Sequence, residues 1–114
     1  KILVLHSSVS SDNTQEKGQR RLDDLLASYK FDSYKIDGSD PETKELRDTL
    51  FLISGIRGKY PQVFIDTDGK YEYIGSWEQI ETMNECESIP SEILEANPSI
   101  QTISKAFKSV RRLN

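Results

Sequence analysis

Few side chains in this chain can do chemistry. Its 114 residues include one cysteine, Cys86, and one histidine, His6. A single cysteine forms no intrachain disulfide and no thiolate zinc site, and a single histidine removes His-rich metal sites and most catalytic triads. Hydroxyls are more plentiful, with Ser7, Ser8, Ser10 and Ser11 following the first apolar run. A hydroxyl nucleophile needs a base beside it. His6 ends what reads as a strand, where neighbouring side chains point to opposite faces, so His6 and Ser7 are not placed for proton transfer. Loop and capping roles are expected for these serines; phosphorylation or anion binding is the functional counterpart. Asp23 and Asp24 point apart on a helix and read as solvated surface. No metal-ligand spacing and no phosphate-binding glycine loop is present.

Charge is unevenly spread. Fifteen Lys and Arg against 19 Asp and Glu give a net charge of −4. Residues 98–114 hold Lys105, Lys108, Arg111 and Arg112 and no acid, so that stretch is +4 and the rest −8. The acidic body disfavours nucleic acid as a partner. Apolar runs of four or five residues are too short to span a membrane. The composition reads as one soluble, mildly acidic globular domain with enough apolar content, 35%, for a small core. The first residue is Lys1, so the expected location is the cytoplasm, or an organelle reached through an unseen upstream leader.

These residues need elements to hold them. Ile2-Leu3-Val4-Leu5 is a short apolar run that reads as a buried strand. Leu22, Leu25, Leu26 and Tyr29 mark one face of a helix starting near Asn13 or Thr14, which Gly18 weakens by about 1 kcal/mol relative to Ala. Phe31 to Asp37 is a second strand, with Tyr34 and Ile36 on one face. Asp40 caps the next helix, with Pro41 in its first turn, Leu46, Leu50 and Ile53 on its apolar face and Gly55 at its end. Gln62 to Ile65 and Lys70 to Ile74 form a hairpin around Asp68-Gly69. Ser76-Trp77-Glu78-Gln79 has the form of a capping box, opening a helix that carries Ile80 and Met83. A short helix is expected at Ser91 to Ala96. Asn97-Pro98 is then expected to cap a basic amphipathic helix with Ile100, Ile103, Phe107 and Val110 on one face. The helix either packs on its own domain or docks on a partner, with Lys105, Lys108, Arg111 and Arg112 beside the stripe.

The resulting order, βαβαββα with a helical extension, resembles the thioredoxin-like fold and the glutaredoxins in particular. Lys59-Tyr60-Pro61-Gln62-Val63-Phe64 looks like the glutaredoxin loop whose proline is cis. Ile74-Gly75-Ser76-Trp77-Glu78-Gln79-Ile80 looks like the segment that opens the last helix of that fold. The resemblance covers residues 2–88. Counted from the first strand, the two thiol positions of the family fall on Ser10 and Asn13, and a serine hydroxyl forms no disulfide. The chain is similar to the SH3-domain-binding glutamic-acid-rich protein family, a branch without the redox cysteines. The likeness lies in strand one, the Ser-rich loop, the spacing to the second strand, and Asp68-Gly69-Lys70-Tyr71 followed by Tyr73-Ile74-Gly75. That family carries a Pro-rich peptide where this chain reads Arg57-Gly58-Lys59-Tyr60-Pro61-Gln62. A polyproline ligand needs P-x-x-P spacing, so SH3 binding does not carry over.

The expected fold is therefore α/β, with a mixed four-stranded sheet, helices on both faces and a C-terminal helical extension. The division is residues 1–88 for the thioredoxin-like domain and 89–114 for the extension. The resemblance implies a cis Tyr60–Pro61 bond and a vestigial glutathione or peptide site at Ser10, Arg57, Lys59, Tyr60, Pro61, Gly75, Ser76, Trp77 and Glu78. Backbone groups at Tyr60 would pair with an extended peptide, and the helix start at Ser76 would attract a carboxylate. No catalytic residue, metal or bound cofactor is expected, with glutathione as the one candidate ligand. The expected function is a redox-inactive module that binds other proteins, including as a structural subunit of a larger assembly. The alternative is a glutathione-binding glutaredoxin relative with weak or no redox activity.

Overall fold

The computed structural model describes residues 1–9 and 13–113. Strand β1 (Ile2–His6) is followed by helix α1 (Asn13–Tyr29) and strand β2 (Ser33–Asp37). A 3-10 turn at Pro41–Thr43 leads into α2 (Lys44–Ser54). The hairpin β3 (Gln62–Thr67) and β4 (Lys70–Ser76) runs directly into α3 (Trp77–Cys86). Two short helices, α4 (Ser91–Ala96) and α5 (Ile103–Ala106), complete the order. No described helix is long and apolar enough to cross a membrane.

The sheet order is β2-β1-β3-β4. Strand β1 pairs parallel with β2, and β3 pairs antiparallel with both β1 and β4. The central β1 is buried on both faces, which is why it is continuously apolar. The period of two then divides its residues. Ile2 and Val4 join Leu22, Leu26, Val63, Ile65 and Ile80 on the side of α1 and α3. Leu3 and Leu5 join Leu50, Phe51 and Phe64 on the side of α2. The sheet thus separates two apolar clusters.

The local signals act as expected. The Asp40 carboxylate accepts from the Glu42 backbone N–H, with Pro41 in the first turn. Helix α2 ends at Gly55 in the left-handed conformation, its N–H donating to the Phe51 carbonyl. Asp68 and Gly69 both have positive φ, the pattern of a two-residue type I′ hairpin turn, and Asp66 accepts from the Gly69 N–H at 2.9 Å. Gly18 does more than weaken its helix. A Cβ there would sit 3.1 Å from Trp77 Cδ1, so the glycine lets α1 and the start of α3 approach.

The C-terminal stretch requires a correction. The amphipathic docking helix expected from Asn97 onward is not formed. Helix α5 is a single turn, Ile103–Ala106, capped by Thr102, whose hydroxyl accepts from the Lys105 N–H at 3.2 Å. Ile103, Phe107 and Val110 are buried in the cluster formed by β1, α1, β3 and α3, so they complete this domain's core. Ile100 is half-buried. Beyond Val110 the chain is extended: Arg112 bridges Phe31, and the Asp32 N–H donates to the Arg111 carbonyl at 2.9 Å. Three of the four basic side chains are engaged locally. Lys105 Nζ donates to the Ile100 carbonyl at 3.0 Å, and Arg111 lies 3.9 Å from Asp32. The Arg112 guanidinium covers the rings of Tyr29 and Phe31 at 5.6 and 5.3 Å. Lys108 stays exposed. A short capped turn followed by paired extended chain buries the same apolar residues that a long helix would have turned to one side.

Candidate functional site

The Tyr60–Pro61 peptide bond is cis. It joins the loop after α2 to β3 at one end of the sheet. The start of α3 lies beside it, because Gln62 pairs with Ser76 and Val63 with Gly75 across the hairpin, next to a register shift at Val63 and Phe64. A groove of about 340 Å³ opens between the two. Gln15 and Gly18 of α1 close one side, and Ile56, Lys59, Tyr60 and Pro61 form the loop wall. Gln62 and Tyr73 come from the paired strands, and Ser76, Trp77, Glu78 and Gln79 form the helical wall.

The helical wall is held by its own cap. The capping box forms, with Gln79 Oε1 accepting the Ser76 N–H at 2.9 Å. The Ser76 hydroxyl donates to Glu78 Oε2 at 2.9 Å. Gly75 is buried behind this cap, where an added Cβ would meet Gln79 side-chain atoms at 2.9 Å. The loop wall is set by packing. The Tyr60 ring lies against Phe51, with centroids 6.1 Å apart, and its phenol reaches over Gly38. Burial pushes the Tyr60 hydroxyl pKa up, Arg47 works against this, and Asp37 and Asp48 add to it.

Gln62 links the loop to the sheet. Its Nε2 donates to the carbonyls of Ile56 at 2.9 Å and Lys59 at 3.0 Å. Both amide protons are thereby used, which fixes the orientation of the group. Its Oε1 is buried with no hydrogen-bond partner among the described residues, and so is the Tyr73 hydroxyl. Burial raises the Tyr73 pKa, with the charge of Glu78 adding to it, so this hydroxyl remains a neutral donor.

Lys59, Tyr60, Pro61, Ser76, Trp77 and Glu78 of the sequence-derived set are brought together in the groove, with Gly75 behind its cap. Arg57 is not among the lining residues; its guanidinium lies over the Phe51 ring at 5.8 Å. Ser10 lies outside the described residues. Sequence reasoning did not assign Gln15, Gly18, Ile56, Gln62, Tyr73 or Gln79 to the site. For Gln62 a signal existed: it is a polar residue opening an otherwise apolar strand, and such a residue needs partners when buried. Cys86 is half-buried at the far end of α3, about 14 Å along the helix axis from Trp77.

No protein-family model matches the chain, and no curated protein matches it. Among solved structures, a mutated buckwheat glutaredoxin aligns over 84% of this chain and 78% of its own, with a TM-score of 0.55 and 16% identity. A buckwheat glutaredoxin–glutathione complex aligns over 87% of this chain and 80% of its own, with a TM-score of 0.53 and 16% identity. The chain therefore has a thioredoxin-like fold of the glutaredoxin type, a four-stranded mixed sheet with helices on both faces.

Proposed function

We propose that this protein is a non-catalytic thioredoxin-like module that binds an extended peptide segment in the groove between Tyr60–Pro61 and the start of α3. The observation that carries this reading is the assembly of the cis Tyr60–Pro61 loop and a helix N-terminus around one groove, while the only thiol lies at the other end of α3. Backbone groups beside Tyr60 would pair with the ligand as an added strand. The free N–H groups of α3 would receive a carboxylate, with Lys59 as the cation on the facing wall. Glu78 would meet an amine. Thiol exchange needs an activated thiolate at the reacting position, and Cys86 is not there. Placement among the cysteine-free SH3-domain-binding glutamic-acid-rich proteins belongs to this proposal and rests on the hairpin residues and the Ser-rich loop. So does a role as a fixed subunit of a larger assembly.

Glutathione is the second reading for the same groove. It is itself a short extended peptide, and one structure that this fold matches is a glutaredoxin–glutathione complex. It also serves as the probe. Amide spectra recorded during a glutathione titration are expected to shift at Tyr60, Gly75, Ser76 and Trp77, with micromolar to low-millimolar affinity. Shifts confined to other surfaces, or none, overturn the groove as a peptide site. Thiol–disulfide turnover that survives Cys86→Ser overturns the non-catalytic reading.

A further inference from the structure

We infer that the last turn of α2 and the loop after it continue the groove as a docking surface for an acidic, apolar stretch of a partner protein. This surface stands on the peptide-binding reading proposed above and names what the bound segment carries next. Leu52 is 79% exposed and Ile53 42%. Neither is in the two apolar clusters, to which α2 contributes Leu46, Leu50 and Phe51. A single exposed apolar side chain is ordinary on a protein surface. Here two are adjacent, and Ile56, half-buried three residues on, lines the groove.

The charge on the loop side is of one sign. Residues 49–65 hold Arg57 and Lys59 and no acid. Both bases are exposed, and neither is in an ion pair among the described residues. The Arg57 guanidinium lies over the Phe51 ring at 5.8 Å, which holds its charge at the last turn of α2. Further up the helix, Asp48 is paired with Arg47 at 3.1 Å, and Lys44 precedes Glu45. Residues 44–60 thus carry four bases and two acids, +2 in a chain of −4. A segment with carboxylates between apolar side chains complements this surface, and a basic one is repelled. Two apolar tips and two bases are too small a patch to hold a membrane, so a peptide segment is the occupant. The order along the ligand follows from the groove. With a γ-glutamyl end at α3 and main chain beside Tyr60, the C-terminal continuation passes Lys59 and Ile56 and meets Leu52, Ile53 and Arg57.

Four peptides test this: γ-glutamyl-alanyl-glycine, and the same tripeptide continued by Asp-Leu-Asp-Leu, Lys-Leu-Lys-Leu or Asp-Ser-Asp-Ser. In amide spectra of the full chain, the Asp-Leu peptide is expected to shift Leu52, Ile53 and Arg57 in addition to the Tyr60 and Gly75 shifts made by the tripeptide. It is expected to bind about tenfold more tightly than the tripeptide, the scale of covering one leucine-sized side chain. That gain should shrink between about 50 and about 500 mM salt. Leu52→Ser alters an exposed side chain, so the fold should stay intact, and the extended peptide should then bind no better than the tripeptide. Arg57→Glu should move the preference toward the Lys-Leu peptide. An extension that adds neither affinity nor shifts at Leu52 and Ile53 overturns the surface, while shifts at Tyr60 and Gly75 leave the groove standing. An equal gain from the Lys-Leu peptide overturns the acidic partner, and an equal gain from the Asp-Ser peptide overturns the apolar one. Phosphatidylglycerol vesicles that shift Leu52 and Ile53 where the Asp-Leu peptide does not would give the surface to a membrane and overturn the proposal. If no peptide shifts Tyr60 or Gly75, the groove reading fails and its continuation fails with it.

Discussion

Phe107→Ala is the sharpest test of whether the C-terminal stretch belongs to the domain core. Phe107 is 1% exposed and packs beside Phe31, ring centroids 5.4 Å apart, in the cluster shared by β1, α1, β3 and α3. Burying a phenyl side chain removes about 200 Å² from water, worth about 5 kcal/mol at about 25 cal/mol per Å². Alanine keeps part of that burial, but a cavity remains, and measured Phe→Ala changes in cores run about 3–5 kcal/mol. Domains of this size are stable by about 5–15 kcal/mol, so the variant should lose a large share of its stability. The expected drop in Tm is about 12–20 °C. Urea unfolding followed by far-UV circular dichroism should show a lower midpoint with an unchanged slope. Lys108→Ala, at the exposed neighbouring position, is the control and should stay within about 0.5 kcal/mol of the wild type. A loss below about 1 kcal/mol for Phe107→Ala would refute the packing argument and return residues 100–112 to the status of a free partner-facing segment.

Two further outcomes follow from local geometry. Gly38→Ala would place a Cβ 2.8 Å from the Tyr60 hydroxyl and 2.9 Å from Cε1, and that ring is already held against Phe51. A loss of about 1–3 kcal/mol is expected in denaturant titration, together with altered Tyr60 and Gln62 amide shifts; an unperturbed spectrum would contradict the tight contact. His6 is held below the ordinary histidine pKa, chiefly by burial, with Lys35 assisting and Asp37 and Asp23 opposing. As pH falls through about 6.5, the unfolded chain takes up a proton that the folded chain accepts only lower down, so stability should decline as pH falls through that range. His6→Gln should flatten that decline, and identical slopes for the two proteins would show that His6 does not contribute.

Much of the fold was legible because it depends on local chemistry. The run Ile2 to Leu5 announced a strand buried on both faces, and its residues do divide between two clusters. Asp40-Pro41, Gly55, Asp68-Gly69 and Ser76-Gln79 mark boundaries with mechanisms of their own, and each boundary is where they put it. The C-terminal stretch was half legible. Spacing identified Ile103, Phe107 and Val110 as residues that must be buried, but the same spacing is met by one capped turn followed by extended chain. Periodicity reports which side chains leave water more reliably than it reports the backbone that carries them. Gly18 was legible only as a weakness in α1, since its partner Trp77 is brought to it by the sheet. The unpartnered state of Gln62 Oε1 and the Tyr73 hydroxyl was out of reach for a similar reason. Whether a buried polar atom has a partner depends on loop carbonyls and strand neighbours that only the folded chain brings together.

On the proposed reading, binding and thiol exchange would use separate residues, so one could be lost without the other. Thiol exchange needs an activated thiolate, which the glutaredoxin resemblance would put at the start of α1, and the chain has its only sulfhydryl at the end of α3. On the proposed reading, peptide binding would use main-chain groups near Tyr60 and the free N–H groups of α3, and neither needs a thiol. The charged side chains sharpen the same point. Arg57 is turned onto Phe51, which leaves Lys59 as the cation lining the groove, facing a wall that carries Glu78. A groove whose described lining carries one cation and one anion suits a zwitterionic end of a peptide better than a simple anion, because a bare carboxylate or phosphate would gain from Lys59 and lose against Glu78. On the proposed reading, then, inorganic phosphate should compete poorly with a γ-glutamyl peptide for this site, although both are attracted to a helix N-terminus.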